Sequence, residues 1–377
     1  MHHTSNHLID AYRRLQQRPE TLVLASIIET SGSTYQKAGA RMLISRKGEM
    51  TGLLGGGCFE RDLVEQAQSV FDSGVAKTVF YDMRAPEDMI WGLGLGCNGA
   101  VRVLLQLLQA ERDFSPLNVF ADVAEADESG VLVTCYESSH PKYTAEENLF
   151  LPASALTTPT SSDFGTEPLM ATAKQVFLQQ QPRAAEHSIE GRPVKAFYDF
   201  IGPPCRLLVL GAGADALPLV QTAASLGWRV TVADYRPGHI DSARFPQAEK
   251  LLLLAPEELN EKLALNRFDA LVLMTHNFDY DRRYLQRLAN NNIPFIGLLG
   301  PAQRRDMLLQ SLGNTAERIR ESVFGPIGLD IGAQTPEEIA LSIMAGIHAV
   351  LNGRGGGHLD SRSMTAINEQ ADDLIRC

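Results

Sequence analysis

Two cysteines stand among glycines in positions where a thiol can do chemistry. Cys58 follows Gly55-Gly56-Gly57 and precedes Phe59-Glu60, and Cys97 lies in the run Gly92-Leu93-Gly94-Leu95-Gly96-Cys97-Asn98-Gly99. Glycine has no Cβ and adopts positive φ readily, so Gly56, Gly57 and Gly96, with Asn98, let a large flat ligand reach backbone and sulfur together. Cys58 is expected at a helix N-terminus, where partial positive charge favours the thiolate. Thiolate binds soft metals and also carries transferable sulfur. The plainer reading makes both residues small buried hydrophobes in tight turns, the usual state of a free cysteine. Cys135 and Cys205 fit that plainer reading, and Cys377 has no evident role. Zinc is disfavoured, because no CxxC pair or His-rich spacing supplies four ligands.

A second chemical signal is the turn Gly211-Ala212-Gly213-Ala214-Asp215-Ala216, which follows an apolar strand and opens a helix. Gly211 permits the tight turn, Gly213 admits a pyrophosphate to the backbone, and Ala216 lets the helix pack closely on the strand. Free N–H groups at the helix start favour an anion. Asp234, ending the next strand, stands at the spacing of an acidic residue that holds ribose hydroxyls. Asp215 works against a phosphate, since it places negative charge in the same turn. The plainer alternative is a good strand-to-helix connection and nothing more. His276 falls just past a later strand, at the edge where open parallel sheets bind ligands, and offers ligand contact or proton transfer. A lone loop histidine is more often solvated or a cap.

These residues require a frame of α/β class, and the chain divides near Gly202-Pro203-Pro204. Residues 1–200 read as an N-terminal α+β domain. Its strands fall at 23–30, 40–48, 78–83 and 100–108, with one helix from Glu60 to Phe71. Beyond 110 the runs SGVLVTCYES and RPVKAFYDFI continue the pattern, and the Thr/Ser/Pro stretch at 154–168 reads as a loop. Residues 201–353 read as a Rossmann-type parallel-sheet domain. Strands at 206–210, 229–234, 251–254, 270–275 and 294–299 alternate there with helical segments, the first at 214–226. Thr335-Pro336-Glu337-Glu338 signals a capped final helix with Ile339, Ile343, Ile347 and Val350 on one face and Gly353 at its end. A tail follows from 354 to 377.

At 377 residues, two domains are the default. The 34 basic residues stand against 45 acidic ones, a net charge of −11 that disfavours nucleic-acid or anionic-membrane binding. No apolar run is long enough to span a membrane, and the start lacks the apolar stretch of a secretory signal. Five scattered cysteines then read as reduced thiols of a cytoplasmic protein. A homodimer is the default oligomer.

Seven motifs resemble the XdhC/CoxI family. They are ETSGSTYQKAGARMLI, GLLGGGCFERDL and GLGLGCNGAVRVL in the first half, and LLVLGAGADALPLV, VLMTHNFDYD, FIGLLGP and GPIGLDIGAQTPEEIA in the second. The resemblance implies an accessory protein for molybdenum hydroxylases such as xanthine dehydrogenase, a maturation factor rather than a turnover enzyme. Such a factor binds the molybdenum cofactor (molybdopterin), protects it while an oxo ligand is replaced by sulfur, and hands it to the apoenzyme. A cysteine desulfurase is implied as the sulfur source. By the same resemblance Cys58 and Cys97 are the contacts to molybdenum or sulfur, and Gly32, Ser33, Thr34 and Arg41 line the pterin or its phosphate. Gly211, Gly213, Asp234, His276 and Asp281 match the Rossmann-side motifs. Asp234 fits this picture only if the cofactor is a dinucleotide form or the Rossmann half takes a separate nucleotide such as NAD(P), because the nucleotide-free pterin has no ribose diol. Two other functions stay open: an NAD(P)-dependent oxidoreductase and a nucleotide-sensing interaction protein.

Overall fold

The apolar run at 22–28 is buried along its whole length, which requires cover on both faces of the strand that carries it. The computed structural model describes residues 6–57, 59–84, 99–144, 147–157 and 167–359. The chain divides into two units, Met1–Pro204 and Cys205–Cys377.

In the first unit β1 (Leu22–Gly32), β2 (Arg41–Ser45), β3 (Met50–Gly52), β4 (Lys77–Asp82) and β5 (Gly99–Leu108) form an antiparallel sheet in the order β3-β2-β1-β5-β4. The helices α1 (Asn6–Gln17), α2 (Glu60–Ser73) and α3 (Leu117–Ala126) cover it. Val23, Ala25 and Ile27 pack with Met42, Ile44 and Val103 against Leu63, Ala67 and Val70 of α2. Leu22, Leu24 and Leu43 face the other way, toward Leu8 and Leu15 of α1 and Phe120 of α3. The period of two thus sends alternate residues of one strand into two cores.

A second antiparallel sheet joins β6 (Gly130–Ser138), β7 (Asn148–Pro152), β8 (Arg183–Ile189) and β9 (Arg192–Ile201) in the order β7-β6-β9-β8. The stretch read as a loop at 154–168 is partly helical: α4 spans Ala153–Thr157, with Leu156 in the core, and α5 begins at Glu167 and runs to Gln179. Residues 158–166 lie outside the described residues. Tyr198 and Phe200 of β9 pack with Leu169, Ala173 and Val176 of α5. Phe197 and Ile201, on the opposite face, join residues of the first sheet and of α1 and α3. Asp199 shares that inward face, so a carboxylate enters the interior of the unit.

The second unit carries six parallel strands, β10 (Arg206–Leu210), β11 (Arg229–Asp234), β12 (Lys250–Leu253), β13 (Ala270–Leu273), β14 (Phe295–Leu298) and β15 (Val323–Phe324). Their order, β12-β11-β10-β13-β14-β15, is the doubly wound order 3-2-1-4-5-6 counted within the unit. The helices are α6 (Ala216–Ser225), α7 (Leu259–Lys262), α8 (Phe278–Leu288), α9 (Ala302–Ser311) and α10 (Pro336–Leu351). Leu208, Leu210, Leu271 and Leu273 meet α8 and α9, whereas Leu207, Val209, Val230 and Val272 meet α6 and α10.

Helix α10 starts as its sequence signals require. The Thr335 side chain accepts from the Glu338 N–H at 3.3 Å, and Glu338 accepts in return from the Thr335 N–H at 3.0 Å. Its buried face is Ala340, Ile343, Met344 and Ile347, while Val350 is 36% exposed. The apolar stripe is therefore rotated from the expected one. Thr335→Ala is expected to cost about 1 kcal/mol, measured by thermal unfolding of the second unit.

Candidate functional site

Three sequence motifs of the first unit converge on the turn after β1. Gly99 of β5 pairs with Gly32, and a Cβ on Gly99 would lie 2.5 Å from the Ser33 carbonyl oxygen and 2.6 Å from that of Ser31. Only glycine lets these backbones approach so closely. Gly56, at φ 67°, lies against the Tyr35 ring, which a Cβ would approach to 3.3 Å. Gly32 and Ser33 are exposed, whereas Thr34 is buried and donates from Oγ1 to the Gln36 carbonyl at 2.8 Å. Cys58, Gly96, Cys97 and Asn98 lie outside the described residues, and the structure places only their neighbours Gly57, Phe59 and Gly99.

Glu60, unread in the sequence, organises the loop around position 58. Its carboxylate is 3% exposed and accepts from the N–H groups of Gly55 at 2.6 Å, Gly57 at 3.0 Å and Phe59 at 3.3 Å. The donors at this helix start are therefore partly used by the chain's own carboxylate. Phe59 stacks on Tyr81 at 4.7 Å, and Tyr81 donates its hydroxyl to Asp62 at 2.5 Å.

Arg41 lines a cavity of about 290 Å³ with His7, Gln36, Lys37, Gly39 and Asp199. Its guanidinium lies over the Phe120 ring, donates to the Gly39 carbonyl at 3.0 Å and pairs with Asp199 Oδ2 at 2.8 Å. The two side chains are 9% and 3% exposed. Three buried polar atoms of the cavity wall, His7 Nε2, Arg41 Nε and Asp199 Oδ1, have no partner. Burial holds His7 below its ordinary pKa, outweighing the opposite pull of Asp10.

In the second unit the candidates gather where β10 and β13 meet at their carboxyl ends, the point where strand order reverses. Gly211, at φ 123°, packs so near β13 that a Cβ would lie 2.4 Å from the Met274 carbonyl oxygen. Asp215 accepts from His276 Nε2 at 2.8 Å, so the acid that disfavoured a phosphate is engaged by the histidine. His276 holds φ 59°, an uncommon conformation for a side-chain-bearing residue, at a strand end where ligands bind. Asp281 is buried, accepting from Thr275 Oγ1 at 2.5 Å and Arg304 Nη2 at 2.7 Å beside a cavity of about 230 Å³.

Asp234 is fully buried and takes four hydrogen bonds from its own chain. They come from the N–H of Ala212 (2.7 Å) and of Arg236 (2.8 Å), and from Arg236 Nε (2.9 Å) and Nη2 (2.7 Å). These bonds fill the acceptor positions that a ribose diol would use. Burial alone would raise this carboxyl's pKa, but the bonds from Arg236 and Ala212 outweigh it and hold the group below the usual carboxylate range. A carboxyl depressed in the folded state adds stability above its unfolded pKa, and that stability is lost as pH falls through the folded value. The second unit is therefore expected to weaken below about pH 4. Trp228 fluorescence melts across that range measure the loss, and Asp234→Asn should flatten it.

Cys135 and Cys205 are buried and free, and burial pushes both thiols up, that of Cys135 to about 11. Among the described residues no group of three or more His, Cys, Asp or Glu side chains is arranged to hold a metal ion. Nor is any helix among them long and apolar enough to cross a membrane.

Comparison with known proteins follows the same division. Residues 15–82 match the family described as XdhC and CoxI, and residues 207–347 match the XdhC Rossmann domain. A Bacillus subtilis protein, named as a probable subunit of xanthine dehydrogenase, is 33% identical over 336 residues, spanning 88% of this chain and 94% of its own length. The uncharacterized Escherichia coli protein YqeB is 32% identical over 169 residues, 44% of this chain and 31% of its own. A crystal structure described as a xanthine dehydrogenase from Bacillus halodurans superposes with a TM-score of 0.73 at 29% identity, covering 95% of this chain and 99% of its own.

Proposed function

The chain belongs to the XdhC and CoxI family, and from that premise we propose that it is an accessory factor of a molybdenum hydroxylase such as xanthine dehydrogenase. Its cargo is the molybdenum cofactor, which it binds, shields during sulfuration by a cysteine desulfurase, and delivers to the apoenzyme. One observation carries this reading: the glycine motifs that hold Cys58 and Cys97 both abut the Ser31–Tyr35 turn through Gly56 and Gly99. A soft metal or a mobile sulfur calls for thiolates, and a flat pterin calls for backbone free of side chains. Lys37, in the wall of the cavity beside that turn, supplies a cation for the cofactor's phosphate, and Arg41 lines the same cavity with its own charge paired to Asp199.

Protein purified from a cofactor-producing host is expected to release a fluorescent pterin on oxidation. Cys97→Ala is expected to lower the retained pterin by about tenfold or more, as loss of a metal contact does. Absence of any pterin would overturn the carrier function, and unchanged retention in the variant would remove Cys97 from it.

The strand order and the Gly211 turn also support a nucleotide at the Rossmann crevice, as in an NAD(P)-dependent oxidoreductase. Calorimetric binding of NAD(H) or NADP(H), followed by hydride transfer to a substrate, would favour that reading. The saturated carboxylate of Asp234 weighs against it.

A further inference from the structure

We propose that Tyr235 and Tyr280 form a clamp at the Rossmann crevice that stacks a purine nucleotide by its base and leaves its ribose diol unheld. The ligand class rests on the nucleotide reading of that crevice given above, whereas the clamp rests on the two rings. Tyr235 follows Asp234 in the loop after β11, and Tyr280 stands in the first turn of α8, after β13. Strands β11 and β13 flank β10, so the rings meet across the carboxyl end of the strand that leads into the Gly211 turn. Their centroids are 3.5 Å apart and their planes 13° apart. At that spacing the rings overlap face to face, the arrangement that their quadrupoles disfavour relative to an offset one. A guanidinium backs each ring: Arg236 Cζ lies 5.3 Å from the Tyr235 centroid, and Arg283 Cζ 5.0 Å from that of Tyr280. No guanidinium fits between rings so close, so both cations lie on the outer faces. Both are anchored elsewhere, Arg236 on Asp234 and Arg283 on Glu257. The inner faces are thus the ones left for a ligand to stack on.

The two rings belong to separate elements and both are half-buried, so they can part. A flat base needs about 7 Å between them, two van der Waals gaps. Its entry exchanges one disfavoured ring contact for two stacked ones, a gain open to any base. A purine covers more of each tyrosine face than a pyrimidine does, and dispersion grows with the atoms in contact. The ribose is treated differently. Asp234, at the position that holds the diol in dinucleotide-binding members of this fold, already accepts from Ala212 and Arg236 with both oxygens. A nucleotide held here is therefore gripped by its base, with no free carboxylate of Asp234 for its hydroxyls.

The test is calorimetry on the full chain with AMP, 2′,3′-dideoxy-AMP and CMP. AMP is expected to bind, and the dideoxy analogue within about threefold of it, whereas a carboxylate gripping the diol would make that loss about tenfold or more. CMP is expected to bind more weakly than AMP. Tyr280→Leu, which keeps apolar volume and removes the stacking face, should lower AMP affinity about tenfold, and Tyr280→Phe should retain it. If the leucine variant does not fold, the wild-type affinities decide. The larger loss with the dideoxy analogue, CMP binding as tight as AMP, or no effect of Tyr280→Leu would overturn the clamp. NAD(H) binding that Tyr280→Leu leaves unchanged overturns the clamp and leaves the crevice nucleotide standing. AMP binding through the clamp without hydride transfer upholds the clamp and overturns the oxidoreductase. No binding of any nucleotide overturns both and leaves the carrier function untouched.

Discussion

Asp199→Ala is expected to destabilise the first unit by about 3–5 kcal/mol, the usual cost of removing one partner from a buried ion pair. The reason is local. Arg41 is 9% exposed, and without Asp199 its charge would face the Phe120 ring and a single carbonyl, that of Gly39. Removing both charges should cost much less, because the penalty lies in the orphaned ion. A double variant, Arg41→Met with Asp199→Leu, is therefore expected to recover most of the lost stability. Chemical denaturation gives the magnitudes. Since a chain of two units need not unfold in one step, amide exchange of β9 localises the effect. A loss below about 1 kcal/mol would mean that the pair behaves as a solvated surface bridge.

Gly211→Ala should cost the second unit about 2–6 kcal/mol. Part of this is a backbone held at φ 123°, and part is a Cβ driven to 2.4 Å from the Met274 carbonyl oxygen and 2.9 Å from the Thr275 nitrogen. Both obstructions are backbone at the end of β13, which cannot move without breaking the strand pairing of the crevice. Trp228, buried in the same unit, reports the unfolding by fluorescence when Trp91 is replaced by Phe. Gly238→Ala is the control: nothing lies within 4 Å of its Cβ position, and the change should stay within about 0.5 kcal/mol. Gly213 is intermediate, because there the added Cβ meets only the Asp215 carboxylate tip at 2.4 Å. Gly213→Ala should displace that carboxylate from His276 more than it unfolds the sheet.

Much of the frame was legible in the residues. The apolar run RPVKAFYDFI is a strand along its length, and five of the six parallel strands of the second unit lie within one or two residues of expectation, the short β15 being the exception. Helix α1 was missed although Leu8, Tyr12 and Leu15 carry a helical period, because the stretch is short and crowded with polar residues. Glu60, Asp199, Arg236 and Arg304 were missed for a different reason. Asp199 and Arg304 act through partners distant in sequence, which leave no local signature, whereas Glu60 and Arg236 act on near neighbours that only the folded turn brings within reach. The one available hint was an aspartate inside the apolar strand FYDFI, a charge that burial obliges to find a counter-ion.

The cysteine and glycine motifs are local facts. Glycine's freedom and a strand's period act over a few residues, so composition and spacing alone determined which loops are free of side chains and which segments are strands, together with the resemblance those motifs carry. Tertiary structure decided what the loops face. It brought Gly56 and Gly99 against the Ser31–Tyr35 turn, set Arg41 against Asp199, and closed Asp234 on Arg236 and Ala212. Each of these is the outcome of burying apolar faces first; the polar groups carried inward then had to pair with whatever the packing placed beside them.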